Sequence, residues 1–535
     1  MTARTVRTAT AAATAAVVLA GAARLLRAGG GGDGSGGGTD TVTVGVAQEP
    51  ETLSPLLGYG KEGNSKIFDG LLTHDARMNL RPALATRLPQ VSEDGRTYTY
   101  DLRKGVTFSD GRPFTAEDVV YTYETILDEK TNNPSKGELD AVKSVTAEGR
   151  HRVVFRLSYP YAAFAERTVL PIASRAVASR TDVNTGSYNT EPVGTGPYIL
   201  TRWRKGEKLS FKANPHYWGG KPKVERFTVA VIEDDDVRAT RLRSGDLDGA
   251  ILPPDLAETF EKDEDEDKRT FSAKTADYRA VTLPSGNPVT GDRAVRRALD
   301  LAVDRKAIVA NVLNGAGKPA YGPLPTDSPW FAEGTRRARD LPRARKLLDE
   351  AGWKPGKDGI RTKHGRRAAF TLWYFSGDKL RQDHALAYAA DAKKAGIDVT
   401  VRAGSREVVR PRLDHDAMLM GNGFPADPDF DLYPTLHSSQ IGDGWNNLAH
   451  YHDKTVDEQL DTARRSRDPE VRKTAYDKVQ RALEKNPGYT FLTHIDHVYV
   501  IDDKWRGLTT QVEPPHDHGI GAGPWWNVQD WQPEE

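Results

Sequence analysis

Residues 80–124 read LRPALATRLPQVSEDGRTYTYDLRKGVTFSDGRPFTAEDVVYTYE. The alternation in RTYTYDL predicts a strand, because successive side chains of an extended chain point to opposite faces. Gly105 and Gly111 divide the next residues into turn, strand and turn. Thr115 stands where a helix would begin, with Glu117 and Asp118 in its first turn and AEDVVYTYETIL behind it. HRVVFRL (151–157) predicts another strand.

On the amino-terminal side, TVTVGV (41–46) alternates like a strand and IFDGLL (67–72) is a compact apolar segment. On the other side, EPVGTGPYIL (191–200) runs from a Pro/Gly turn into a strand, and KLSFKANPHYWGG continues the β pattern. RFTVAVI (226–232) predicts a strand, and DDDVRATRLRSGDLDGAIL (234–252) a short helix, a Gly break and a strand. From Gly291 the character turns helical. DRAVRRALDLAV places apolar residues at 294, 295, 298, 299, 302 and 303, which is one helical face. Asp304 restarts a helix that stops at Gly315, and LPRARKLLDEAGW has Pro342 near its start and Gly352 at its end. AAFTLWYF, a helix closed by Gly396, and IDVTVR give the β-α-β order of an α/β domain. A helical pair broken near Asp468-Pro469 and a strand pair in GYTFLTHIDHVYVI complete the pattern.

A chain of 535 residues exceeds one ordinary core, so two or three domains are expected. A hydrophobic share of 38% with 28% charged residues is a globular composition. Lys plus Arg and Asp plus Glu each number 75, so net charge gives no reason to expect a nucleic-acid partner. With no Cys, disulfides, thiolate metal sites and Cys nucleophiles are excluded. The amino terminus reads as an export signal: Arg4 and Arg7 precede an apolar run from Ala9 to Ala23, and Ala20-Gly21-Ala22 fits a small-x-small cleavage site. A leash comes next, in which eight of the ten residues from Gly29 to Gly38 are glycine.

The sequence carries no G-x-S-x-G, no H-E-x-x-H and no Walker A loop. GAGKPA (315–320) follows a helix rather than a strand, which suits a helix cap and not a dinucleotide site. Asp427, Asp429 and Asp431 are spaced as in a calcium loop, but Pro428 and the missing sixth-position Gly argue against one. His450/His452 and His516/His518 are the remaining pairs that could approach a metal; surface histidines without a site explain them as well. No metal, cofactor or catalytic residue is assigned.

Several of these segments, in order, resemble one family: the extracellular solute-binding proteins of the peptide/nickel class that serve ABC importers. The stretch 80–124 is similar to its signature region nearly throughout. EPVGTGPYIL with NPHYWGGKP, RLRSGDLDGA, the run 292–325, KLLDEAGW and KKAGIDVTV agree as well. The resemblance covers roughly residues 41 to 510. It implies an α/β, periplasmic-binding-protein-like clamp of two lobes with an extra inserted domain, three subdomains in all, that closes about a hinge on a ligand. The implied division is signal segment 1–22; linker 23–40; lobe I from 41–74, 191–275 and 491–535; inserted domain 75–190; and lobe II 276–490. The implied partners are a short peptide and membrane permease subunits, the protein acting as an exported monomer without enzymatic activity. A nickel or haem chelate or an oligosaccharide is the alternative cargo, and an exported hydrolase the distant one.

In the family's oligopeptide binders an Asp in a G-aromatic-x-A-D stretch pairs with the peptide's α-amino group. GFPAD places Gly423, Phe424, Ala426 and Asp427 on that pattern. A turn cap before Pro428 is the other reading of Asp427. Gly421 stands where some oligopeptide binders carry an Arg. Trp445, Tyr451 and Tyr59 are further ligand-facing candidates, with core packing the alternative for each. Gram-positive members normally carry a lipidated Cys at the end of an L-A-G-C-like lipobox. Here LAGAA has Ala22 at that place, which makes lipid anchoring doubtful and leaves release after cleavage, or tethering by an uncleaved signal.

Overall fold

The computed structural model describes residues 40–262, 267–442, 444–513, 521 and 523–534. The export signal, nearly all of the leash, Ala22, His516 and His518 lie outside the described residues. Among those described, no helix is long and apolar enough to cross a membrane.

Two large sheets form the frame. The first has seven strands, in the order 268–273, 497–502, 249–252, 41–46, 226–231, 208–213 and 198–204. Its centre is parallel: Thr41–Val46 lies between 226–231 and 249–252, with Val42 and Val44 fully buried. A strand buried on both faces reads as an apolar run, and GAIL does so, whereas RFTVAV keeps Arg226 exposed and Thr228 half-buried. The second sheet has six strands, in the order 317–319, 489–495, 278–282, 417–422, 369–375 and 398–404. Here 369–375 pairs in parallel with both 398–404 and 417–422, and helix Lys379–Lys394 makes the crossover. Helices Arg293–Ala302, Leu341–Glu350, Lys454–Arg465 and Pro469–Lys485 enclose this sheet.

The stretch 80–124 belongs to a third unit, a four-stranded antiparallel sheet of 90–91, 97–101, 152–157 and 142–147. Its helix, Ala116–Leu127, starts in a full capping box between Thr115 and Asp118, which satisfies two orphan backbone donors. The strand expected after Gly105 reduces to a single bridge, Thr107 to Pro113. Pro113 cannot donate to a ladder, so pairing ends there.

The chain passes between the two large sheets at two adjacent places. Residues 274–277 join strand 268–273 to strand 278–282, and Asp496 joins strand 489–495 to strand 497–502. The two strands expected in GYTFLTHIDHVYVI are present as Tyr489–Ile495 and His497–Asp502, and they do not pair with each other. The stretch is one extended run whose halves belong to different sheets. The boundary expected at 491 falls inside strand Tyr489–Ile495, which pairs within the six-stranded sheet, while His497–Asp502 pairs within the seven-stranded one.

Candidate functional site

Register fixes which sheet edges meet. In the seven-stranded sheet, Ala273 pairs with His497 and Leu252 with Val498, so the carboxyl ends of the parallel strands lie at the crossover end. In the six-stranded sheet, Tyr278 pairs with Asn422 and with His494, and strand 369–375 runs parallel to 417–422. The carboxyl ends of 369–375 and 417–422 therefore also lie at the crossover end. Ligands of open α/β sheets sit outside the carboxyl ends of the strands. The paired crossovers join two such edges, one from each large sheet.

The lobe II edge carries fixed charges of both signs. Arg279 lies directly across from Gly421, and a Cβ on Gly421 would stand 2.3 Å from Arg279 Nη1. Arg279 Nη1 donates to Asp277 Oδ1 at 2.5 Å, and its buried Nε has no hydrogen-bond partner among the described residues. Arg381, in the first turn of the crossover helix, pairs with Asp378 and also has an unpartnered Nε. Burial, and then the nearby Arg279 charge, hold Arg381 below the usual guanidinium range, with Asp378 opposing. Gly423 has φ +137°, and a Cβ there would meet Ala276 O at 2.0 Å, so the backbone of GFPAD packs directly on the crossover.

The three aspartates of ADPDFD diverge. Asp427 accepts from Arg472 Nη2 at 2.7 and 2.9 Å, and its Oδ1 caps the Asp429 N–H at 2.9 Å. Burial raises the Asp427 carboxyl above its usual value against the pull of Arg472. Asp429 takes Arg464 Nε at 3.0 Å and Nη2 at 2.9 Å. Asp431 accepts from Tyr278 Oη at 3.3 Å, and burial raises it well above the carboxylate range. With three separate partners, the aspartates do not converge on one point as cation ligands would.

A comparison of the sequence with known families matches the bacterial extracellular solute-binding proteins, family 5, over residues 79–443. The chain belongs to that family. Protein XP55 of Streptomyces lividans is 63% identical over 485 residues, which is 91% of this chain and 89% of that protein. Among solved structures, NikZ from Campylobacter jejuni in complex with Ni(L-His) superposes with a TM-score of 0.84 at 32% identity, covering 92% of this chain and all of that one. The oligopeptide-binding protein AppA from Bacillus subtilis, in complex with a nonapeptide, gives 0.80 at 26% identity over 92% and 99% of the two chains.

The aromatic candidates of this family 5 protein fall in different places. Phe424 is half-buried and meets Phe430 edge-on at 5.1 Å, on the cleft edge. Trp445 is half-buried against Phe375, the last residue of strand 369–375, with ring centroids 5.8 Å apart. The guanidinium of Arg410 lies 5.6 Å from the Trp445 ring. Tyr59 is half-buried beside Phe68 at 6.4 Å, in a loop after the lobe I strand Thr41–Val46. Tyr451 is different. It packs on Gly488, beside Tyr489 and the end of strand 278–282, which is the sheet edge away from the crossovers. It is 4% exposed. It is therefore not brought together with the other aromatic candidates, since spacing after Trp445 carries no information about which sheet edge a residue reaches. Arg279, Arg381, Arg464 and Arg472 were not legible as site residues. No motif marks them: Arg279 and Arg381 pair with aspartates two and three residues before them, and Arg464 and Arg472 reach Asp429 and Asp427 from the two helices that follow.

Proposed function

We propose that this protein is the substrate-binding component of an ABC importer, that it captures short peptides between its lobes by hinge closure, and that it hands them to a membrane permease. The observation that carries the reading is a set of charged groups of both signs toward the crossover end of lobe II: Asp427, held by Arg472, and the Arg279 and Arg381 guanidiniums, held by Asp277 and Asp378 and each keeping an unpartnered Nε. A zwitterionic peptide offers an ammonium to the first and a carboxylate to the second, so neither terminus is buried unpaired. Phe424, Trp445 and Tyr59 supply apolar contact between these ends. The AppA complex with a nonapeptide supports this cargo.

Asp427 already holds Arg472, so the ligand's ammonium would be its second cation. A carboxylate has lone pairs for both. Thermal unfolding against a di- to hexapeptide library tests the reading, and N-acetylated versions of the binders should lose most of their affinity.

A second reading keeps the cleft and changes the cargo to a nickel–amino-acid chelate, favoured by the likeness to NikZ with Ni(L-His). In such a chelate the α-amino group is bound to metal and offers no ammonium. Calorimetry with nickel plus L-histidine, in wild type and Asp427→Asn, separates the two. Chelate binding insensitive to Asp427→Asn supports the second reading.

A further inference from the structure

The inserted unit touches lobe II through a seam that the cleft edge itself does not need. Tyr161 Oη, on the loop after strand 152–157, donates to Asp429 Oδ2 at 2.7 Å. The same Asp429 holds Arg464 through both Nε and Nη2, and the Arg464 guanidinium lies 3.3 Å from the centroid of the Tyr433 ring. One residue on, the Ala162 N–H donates to Arg464 O at 2.9 Å, in the last turn of helix Lys454–Arg465. The Arg167 guanidinium stacks 3.6 Å from the centroid of the Phe430 ring. At the rim, Arg467 Nη1 donates to Ser92 O at 3.0 Å.

Each side of the seam is built independently. Tyr161 is fixed to its own sheet by Tyr98 Oη, which donates to Tyr161 O at 2.9 Å. Arg167 is held by Glu138, which also takes Lys61 at 2.8 Å. On the lobe II side, the Asp429–Arg464 pair is complete without Tyr161. The Tyr161 hydroxyl, 1% exposed as a residue, therefore spends its one donor on a charge that already has a partner in the other lobe. A neutral donor on a buried ion pair adds a charge-assisted bond only while the lobes touch.

We propose that Tyr161 and the Asp429–Arg464 pair form a latch that selects the closed state, separate from any ligand contact, and that this latch sets how fast bound cargo escapes. The proposal rests on the reading of a cleft that opens and closes. It does not depend on what the cleft binds. A hydrogen bond to a charged acceptor is worth roughly a tenfold shift or more between two states.

The chain has no Cys, so two introduced thiols label cleanly. Spin labels at Glu148→Cys in the inserted unit and Lys454→Cys in lobe II, both exposed, report the gap in full-length, ligand-free protein. The expected result is a short-distance population beside a long-distance one in the parent and, for Tyr161→Phe, a short-to-long ratio lowered about tenfold or more. The ring is kept, so melting should change little. Arg467→Ala, at the exposed rim, should open the gap less. An unchanged distance distribution in Tyr161→Phe would overturn the proposal and reduce the contact to packing. A ligand-free parent with no short-distance population at all would overturn it too. Failure to bind peptides would leave either outcome readable.

Discussion

The guanidinium of Arg279 occupies the space beside Gly421 where any other residue at 421 would place its side chain. The two Cα atoms are register partners on adjacent antiparallel strands, and the nearest guanidinium nitrogen is 2.3 Å from an ideal Cβ on Gly421.

Gly421→Ala tests this exclusion. The new methyl would push against Arg279 Nη1 and stand 3.0 Å from Asp277 Oδ1. Overpacking of this kind costs about 1–3 kcal/mol. Chemical denaturation should show a lower midpoint, and Arg279→Ala combined with Gly421→Ala should recover part of the loss that Gly421→Ala adds alone. Strict additivity of the two would place the strain elsewhere.

Arg472 and Asp427 form a buried pair, with side chains 10% and 11% exposed. Arg472→Met leaves the carboxylate without its cation, a loss of about 3–5 kcal/mol at neutral pH. Burial already raises the Asp427 carboxyl, and without Arg472 it should rise further. The destabilisation should therefore be smaller at mildly acidic pH than at neutral pH, as the carboxyl takes up a proton. Unfolding curves of Arg472→Met at the two pH values check this; an equal loss at both would contradict it.

His497 sits at the second crossover, with Nδ1 on Glu513 and Nε2 3.6 Å from Asp277 Oδ2. Burial pulls its pKa down, but the Glu513 and Asp277 carboxylates outweigh burial and hold it at about 9, above its ordinary 6.5. The folded state thus keeps a proton that the unfolded state releases. That stabilisation is complete below about pH 6.5 and is lost as pH rises through about 9. Stability measured from pH 6 to 10 should fall across this window, and His497→Gln should flatten the slope.

Much of the fold was legible in the sequence because its signals are local. The capping box at Thr115, the helix ended at Gly352 and the break at Asp468-Pro469 depend on neighbours within a turn. The resemblance carried by 80–124 and the segments after it reached the family. The parts that were not legible depend on register and on edges. GYTFLTHIDHVYVI has two strand patterns but nothing to say that they join different sheets, and Tyr451 has no mark that sends it to the edge away from the crossovers. GFPAD was legible as a motif, yet Arg472, which holds Asp427, comes from a helix 45 residues further along the chain.

On the proposed function, a zwitterionic short peptide binds with its ammonium at Asp427 and its carboxylate toward Arg279 and Arg381. The most direct measurement is isothermal titration of the purified protein with the best binder from a di- to hexapeptide library, beside the same peptide N-acetylated. At 100 times its dissociation constant the free peptide should add about 2.7 kcal/mol of stability. The acetylated form should bind at least about thirtyfold more weakly, as loss of a buried charge partner costs about 2–5 kcal/mol. Equal binding of the two forms, or no peptide binding beside clear binding of nickel with L-histidine, would contradict the account.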